Sequence, residues 1–441
     1  MAGGHDLLND RDVIIIGAGV IGCAVALALC RRGYRTLNID KNPAAGFGST
    51  SNSCAVVRFS YSTANSIKLA FEGYHYWKNW ADFLGLEEPV EYAKYIQCGH
   101  LVIRTSANDR RDMLDHYRSI GIPFQEWSRE RLLERVPIFD GARHAPPKTI
   151  DNPGFWDDGD EPLAGAIFTP IAGYVNDPQL ATGNIKQAVE ANGGRFLLKQ
   201  RVAGIPRSSG RVRGVELENG EELRAGIVVN AAGPYSFVVN RMAGVEDGMS
   251  IKTRALRREV HHLPSPNGFS FDRDGIIASD TNIGIYLKPE SGNKVSVGSG
   301  DPVCDEMTWI EDPDNFDRNI SELQWRTQVF RLSKRIPSIP IPNSGAGVVD
   351  LYDVADDWTP IYDKSDLDGF YLAVGTSGHQ FKNAGAVGAL MAELIDACER
   401  GHDQDASPLA VTGRYTKQTI DTGAFSRRRS LNTESSFSVR G

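Results

Sequence analysis

The sequence predicts a mixed α/β chain, α+β in its second half, built as two interleaved domains. Three observations predict it. The chain opens on a strand–helix–strand unit at 12–40, DVIIIGAGVIGCAVALALCRRGYRTLNID. Short buried strands of the same type recur in the middle, at Ile227–Asn230, and near the end, at Phe370–Val374. Between them, residues 251–345 read as adjacent strands of an open antiparallel sheet followed by a long helix. A length of 441 residues is too great for one core of ordinary size.

The opening unit carries the most information. Asp12–Ile16 holds three consecutive isoleucines, the composition of a buried strand. Gly17, Gly19 and Gly22 then form G-x-G-x-x-G at the strand-to-helix turn. The first glycine permits the tight turn, the second lets the backbone approach a pyrophosphate, and the third lets the helix pack on the sheet. A helix over 20–32 would aim its first N–H groups and its positive dipole end at the phosphates. Gly33 is the expected C-cap. The second strand, Thr36–Ile39, ends at Asp40, whose carboxylate can accept both hydroxyls of a ribose. The unit therefore predicts a Rossmann-like domain for an adenine dinucleotide. It does not separate NAD from FAD.

Composition narrows the function classes. Hydrophobic residues make up 41% and charged residues 24%, ordinary for a globular protein. A net charge of −8 argues against nucleic acid as a partner. An anionic substrate would need local cations of its own. The six cysteines, at 23, 30, 54, 98, 304 and 398, form no C-x-x-C pair, so no metal site and no redox dithiol is expected. Cys23 and Cys30 read as packing residues of the first helix. The polar N-terminal stretch and the lack of a long apolar run lead to the expectation of no signal peptide, no transmembrane segment and a cytoplasmic location.

Further along, residues 64–82 predict a helix with Leu69, Phe71, Tyr74, Trp77 and Trp80 on its apolar face. Residues 92–160 predict a strand at Ile96–Ile103 and helices at Asn108–Ile120 and Arg129–Arg135. Asp177-Pro178 leads into a helix over 179–192, and a strand over 195–203 follows. Arg211–Leu217 and Glu222–Arg224 form a hairpin around Asn219-Gly220. Arg254–Leu263, Gly284–Lys288 and Lys294–Gly298 are strands of the antiparallel sheet, and Asp314–Arg335 is helical. Phe370–Val374 runs into Gly375-Thr376-Ser377-Gly378 and a helix over Ala384–Cys398. The nucleotide-binding domain is therefore discontinuous, over 1–90, 160–250 and 346–402. A substrate domain takes 91–159 and 251–345. The polar tail 403–441, with Arg427–Arg429, is expected to be partly disordered or to cover a partner surface.

Four motifs, in this order and spacing, carry a resemblance: GAGVIG at 17–22, GSTSNSCAVVRFSYS at 48–62, VVNAAGPYS at 228–236 and VGTSGHQFKNA at 374–384. The chain resembles the D-amino-acid-oxidase superfamily of FAD enzymes over about residues 11–400, on the branch of monomeric sarcosine oxidase, glycine oxidase and dimethylglycine dehydrogenase. The resemblance implies FAD rather than NAD. It implies that Gly17, Gly19 and Gly22 hold the pyrophosphate and Asp40 the adenosine ribose, with Val20, Ile21 and Lys41 also among the cofactor-binding residues. Ser49, Thr50 and Ser51 match the loop that wraps the cofactor. Val202 matches the backbone contact to adenine, and Ala232 and Gly233 the strand turn beside the FAD. Gly378, His379, Gln380, Phe381 and Lys382 match the segment beside the flavin ring.

The same resemblance implies that Arg58 and Lys382 hold a substrate carboxylate above the flavin, one as a fork and one as a point charge. Tyr286 is expected to line the cavity, and His261 and His262 to be structural. Three positions depart from the family pattern. Asp350 stands where monomeric sarcosine oxidases carry the cysteine that tethers FAD, and no histidine lies in the 48–56 loop, so the flavin is expected to be non-covalent. The strand lysine that activates oxygen in sarcosine oxidases aligns near Ser296, with Lys294 two residues away on the same strand face. Ala55 replaces an arginine that packs on the flavin.

The expected reaction is FAD-dependent oxidation of the C–N bond of a primary or secondary (N-alkyl) α-amino acid, by hydride transfer to flavin, with hydrolysis of the imine. Oxygen or a partner protein would be the electron acceptor. An FAD-dependent 2-hydroxy-acid dehydrogenase, with His379 as its base, and a flavin subunit of a multi-subunit amine dehydrogenase are the alternatives.

Overall fold

Val13–Ile16 forms the centre of a six-stranded sheet. The spatial order is Ile361–Lys364, Phe370–Val374, Ile227–Asn230, Val13–Ile16, Thr36–Asp40 and Arg195–Leu198. All neighbours run parallel except the edge strand Ile361–Lys364. Parallel strands need cover on both faces. Alternation along the strands supplies it: Val13 and Ile15 enter one apolar core, and Ile14 and Ile16 enter the other. The structure, a computed structural model, describes residues 11–87, 90–106, 110–157, 159, 161–433 and 435–438.

The helix Val20–Cys30 fills the first of these cores. It packs between the helices Pro178–Ala191 and Ala384–Glu399, and all its residues but Ala28 are buried. A helix that is apolar all round belongs inside the protein. Asp177 caps Pro178–Ala191 by accepting from Leu180 N, with proline in the first turn. Thr63 caps Ala64–Lys78 in the same way, accepting from Ser66 N.

A nine-stranded sheet forms the second body. Its main path runs Trp309–Ile310, Thr253–Pro264, Lys294–Ser299, Ile285–Glu290, Ile277–Asp280, His100–Arg104, Gly165–Thr169 and Gln125–Trp127. Gly347–Ala355 pairs beside Thr253–Pro264 along nine register positions. The pairing is antiparallel apart from Ile277–Asp280 against His100–Arg104. The helix Glu322–Arg335 closes one face over a third apolar core.

Several boundaries differ from the sequence-based expectation. Gly165–Thr169 and Gly347–Ala355 were expected in the nucleotide-binding domain, yet their backbone groups pair in the nine-stranded sheet. The expected strand 96–103 breaks at Gly99, which has φ +80° and donates to Ala172 O. The expected strand 195–203 breaks at Lys199, and Val202–Gly204 joins a separate three-stranded sheet. The long helix starts at Glu322 rather than 314, because Glu259 accepts from both the backbone N and the hydroxyl of Ser321 and fixes the entry. The helix expected from Asn108 starts at Arg111, and residues 107–109 lie outside those described.

The tail is the largest correction. Its described residues pack against the rest of the molecule rather than being disordered. Arg427 is fully buried and donates to Asp363 and Asp405, and also pairs with Asp366. Arg429 donates to Asp357 at 2.7 Å. Glu72, on the helix Ala64–Lys78, accepts from the backbone of Tyr415 and Thr416. Arg427 and Arg429 are thus structural. Among the described residues no helix is long and apolar enough to cross a membrane.

Candidate active site

Two adjoining cavities follow the C-terminal edge of the parallel sheet. The larger, about 520 Å³, is lined by Gly17, Gly19, Asp40, Lys41, Ser49, Thr50, Ser51, Val202, Ala232 and Gly233. The smaller, about 180 Å³, is lined by Val20, Ile21, Arg58, Tyr286, Gly378, His379, Gln380, Phe381 and Lys382. Gly19, Ser49, Thr50 and Gly233 line both, so the two form one elongated groove. Gly22 lies behind the turn and lines neither.

The larger cavity has the donor set of a pyrophosphate and ribose site. The helix Val20–Cys30 starts at Gly19, whose missing side chain leaves the helix end open to an anion; only Thr50 Oγ1 accepts there, from Val20 N at 3.2 Å. Gly17 has φ +112°, and a Cβ on it would lie 2.3 Å from Ala231 O. No larger residue fits that turn. Asp40 accepts from Ala18 N and Asn42 N, each at 2.8 Å, which fixes its carboxylate on the cavity wall. Burial pushes this carboxyl upward, against those two bonds. Lys41 reaches the wall too, but its ammonium engages Asp314 and Tyr235.

In the smaller chamber two cations converge on one phenol. Arg58 Nη1 donates to Ser60 O at 2.8 Å, and its guanidinium lies 4.8 Å from the Tyr61 ring centroid. Lys382 Nζ donates to Tyr61 Oη at 2.6 Å and to His379 O at 2.5 Å. Arg58 is 6% exposed and Lys382 2%. Burial first, and the neighbouring Arg58 second, hold the Lys382 ammonium well below the ordinary lysine range. Among the described residues no carboxylate pairs with Lys382. The same two cations add to burial in lowering His100, to about 3, and His379.

The turn that delivers Lys382 is locked from behind. Phe381 stacks on Trp77 at 5.1 Å between centroids, and Trp77 Nε1 donates to Lys382 O at 2.7 Å. Gly378 has φ +70° and packs against the Tyr352 ring, where a Cβ would approach within 2.1 Å. His379 is held at both ring nitrogens, Nε2 against Trp358 O and Nδ1 against the Gln380 amide. Both ring nitrogens are thus engaged, and taking a substrate proton would cost one of these bonds.

The roof comes from the nine-stranded sheet. Tyr286 lines the chamber, with its hydroxyl 3.6 Å from Cys54 Sγ. His261 faces away, fully buried against the Trp325 ring. Lys294 is exposed at its strand end, so it does not replace the family lysine. Ser296 is buried and donates to Glu290 at 2.7 Å, and the buried Lys288, its register partner on the next strand, does the same at 2.6 Å. The sequence reading missed Arg258, Ser279 and Asp353, which also line the chamber. Arg258 sits among three successive charges, Arg257-Arg258-Glu259, in an otherwise buried strand. That run was the available signal, since successive strand residues face opposite sides and each side must then satisfy a charge.

The fold and the groove define a dinucleotide-dependent oxidoreductase. The chain belongs to the FAD dependent oxidoreductase (DAO) family, whose model matches residues 12–394. Glycine oxidase of Geobacillus kaustophilus is 22% identical over 417 residues, covering 93% of this chain and 99% of that protein. Sarcosine oxidase subunit beta of Rhodobacter capsulatus is 23% identical, covering 87% and 84%. The crystal structure of L-proline dehydrogenase from P. horikoshii has the same fold, with TM-score 0.71 and 22% identity over 87% of this chain and 93% of that one. The protein is thus an FAD enzyme, and the open helix end, the close-packed glycine turn and the fixed Asp40 carboxylate fit that cofactor.

Proposed function

We propose that this enzyme oxidises the C–N bond of a primary or N-alkyl α-amino acid. The observation that carries the reading is the pair Arg58 and Lys382, buried together at the chamber wall, with no carboxylate on Lys382 among the described residues. A buried, unmatched ammonium beside a guanidinium is costly in an empty site and favourable once an anion arrives. The substrate α-carboxylate is that anion. Bound FAD supplies the hydride acceptor, and the imine product hydrolyses in water.

The chain's own contribution is position and charge. Gly17, Gly19, Val20 and Ile21 would hold the pyrophosphate, with Gly22 packed behind the turn against Gly17 O; Asp40 would hold the ribose, and Ser49, Thr50, Ser51 and Val202 the remaining length. Ala232, Gly233 and the segment Gly378–Lys382 would border the ring. Arg58 and Lys382 fix the carboxylate, Tyr61 spaces them, and Tyr286 closes the chamber above. Held this way, the amine needs only to be neutral, and orientation supplies much of the rate. His379 serves as a positioning residue through its carbonyl, which accepts from Lys382. With Asp350 at the tether position, the flavin is held without a covalent bond, so acid denaturation should release all of it into the supernatant.

The electron acceptor is oxygen or a partner protein. The likeness to a sarcosine oxidase beta subunit supports the partner alternative. Anaerobic mixing of the holoenzyme with α-amino acids, N-methyl amino acids and 2-hydroxy acids tests the reading. Amines should bleach the flavin and hydroxy acids should not; the reverse ranking overturns the assignment. Later admission of air separates the two acceptors.

A further inference from the structure

Arg258 comes from the strand Thr253–Pro264 of the roof sheet and lines the same chamber as Arg58 and Lys382. Its pairing is one-sided. Nη2 engages Asp301, and among the described residues its other donors meet no acceptor. The Arg258 side chain is 12% exposed and that of Asp301 only 1%. The carboxylate is therefore behind and the guanidinium in front, so the pair turns its donor side to the cavity. The guanidinium lies 5.6 Å from the Tyr352 ring centroid, and that ring packs against Gly378.

The fork is held in advance. Asp301 sits at φ +59°, a left-handed conformation that aspartate tolerates better than most residues. Its N–H donates to Ser299 Oγ at 3.0 Å. Ser299 in turn donates to Asp305 at 2.7 Å, and Asp305 is clamped by the buried Arg331 at 2.6 Å. Asp350, opposite Arg258 in register, turns its carboxylate to Asn52 and to Leu351 N. An arginine at a cavity wall is thus braced by a network that runs through Asp301, Ser299, Asp305 and Arg331.

We infer that Arg258 receives the side-chain end of the substrate, and that this end carries oxygen acceptors, as a carboxylate or a carboxamide. The inference rests on the amino-acid oxidation proposed above. Arg58 and Lys382 take the α-carboxylate at one pole, and Arg258 takes the far group at the other. Because Asp301 cancels much of its charge, Arg258 offers directed donors more than net attraction, and this admits an amide as well as an acid. An apolar side chain of the same length would bury those donors unmatched and lose about 10- to 100-fold in kcat/KM.

The test is anaerobic flavin reduction of the holoenzyme by matched side chains: aspartate and glutamate, asparagine and glutamine, norvaline and leucine, with both enantiomers and N-methyl forms. Acids or amides should exceed the matched apolar amino acids at least about tenfold, and the acid-to-amide ratio identifies which acceptor is preferred. Arg258→Met should collapse the polar-to-apolar ratio toward one. Asp301→Asn, which frees the guanidinium to wander, should lower the same ratio and decides the matter if Arg258→Met does not retain flavin. Apolar amino acids that match or exceed the polar ones, or a variant that slows all substrates alike, overturn the inference and leave amine oxidation standing. Reduction by no amine at all overturns both.

Discussion

Two regions of this molecule bury positive charge, and they do it in opposite ways. In the C-terminal segment Arg427 is fully buried against Asp363, Asp366 and Asp405. Burial alone would lower its pKa, but the three carboxylates outweigh burial and raise it. Asp405 shows the reciprocal effect: burial would raise its carboxyl, and the Arg427 bonds hold it at about 2. In the chamber Lys382 is equally buried, yet it meets a phenol and a carbonyl, and its pKa falls. A charge matched inside the chain is structure. A charge left for something outside the chain to match is a binding site.

Four measurements bear on that contrast. Arg427→Ala should have the largest effect, a loss of about 3–5 kcal/mol in the denaturant unfolding of the holoenzyme, because three carboxylates are stranded. A loss below about 1 kcal/mol would erase the distinction. Lys382→Met should behave oppositely, with stability equal or higher and kcat/KM down about 100-fold, near 2.7 kcal/mol. A variant that unfolds instead would make Lys382 structural.

Asp353 extends the comparison to an acid. It is buried at the chamber and accepts from Gly375 N and Ser236 Oγ, but burial still raises it to about 7. A folded pKa above the unfolded one means that the folded chain holds the extra proton between about pH 4 and 7. Stability is therefore fullest below this window and falls as pH rises through it, on the order of 4 kcal/mol. Asp353→Asn should flatten that slope in a Tm-versus-pH series; an unchanged slope would assign it to other groups. The smallest effect is a fraction of a proton. An unreactive carboxylate bound beside Lys382 favours the ammonium and raises its lowered pKa, so binding should take up protons below pH 10.5 and weaken as pH rises. Calorimetry in buffers of different ionisation enthalpy reads this, and zero uptake would mean that the anion binds elsewhere.

Much of the parallel sheet was legible, because each of its signals is local. Ile227–Asn230 and Phe370–Val374 are short, apolar and bounded by glycine, and both appear where expected. The glycine turn at 17–22 and the segment at 378–382 were legible for the same reason. Arg258–Asp301 was not, since 43 residues separate the partners and only the strand register brings them together. The tail was misjudged on composition. Its arginines read as solvated until their acidic partners, scattered over Asp357, Asp363, Asp366 and Asp405, are seen around them. Lys294 was expected to face the covered side of its sheet, but it is exposed at the strand end, and facing direction depends on a neighbouring strand that one sequence does not specify.

The central strand has a further consequence, for how the protein is made. Val13 is among the first described residues, but its sheet neighbour on one side is Ile227, and beyond that lies Phe370. The helix that covers the first helix begins at Ala384. Such distant pairings close late and slowly, because long loops must be ordered before the contacts that reward them. During synthesis the apolar strand and helix at 13–30 emerge well before the partners at 227, 370 and 384 that cover them. Truncation before residue 384 should therefore yield aggregate rather than a smaller folded unit, and the nascent chain is a natural client for chaperones.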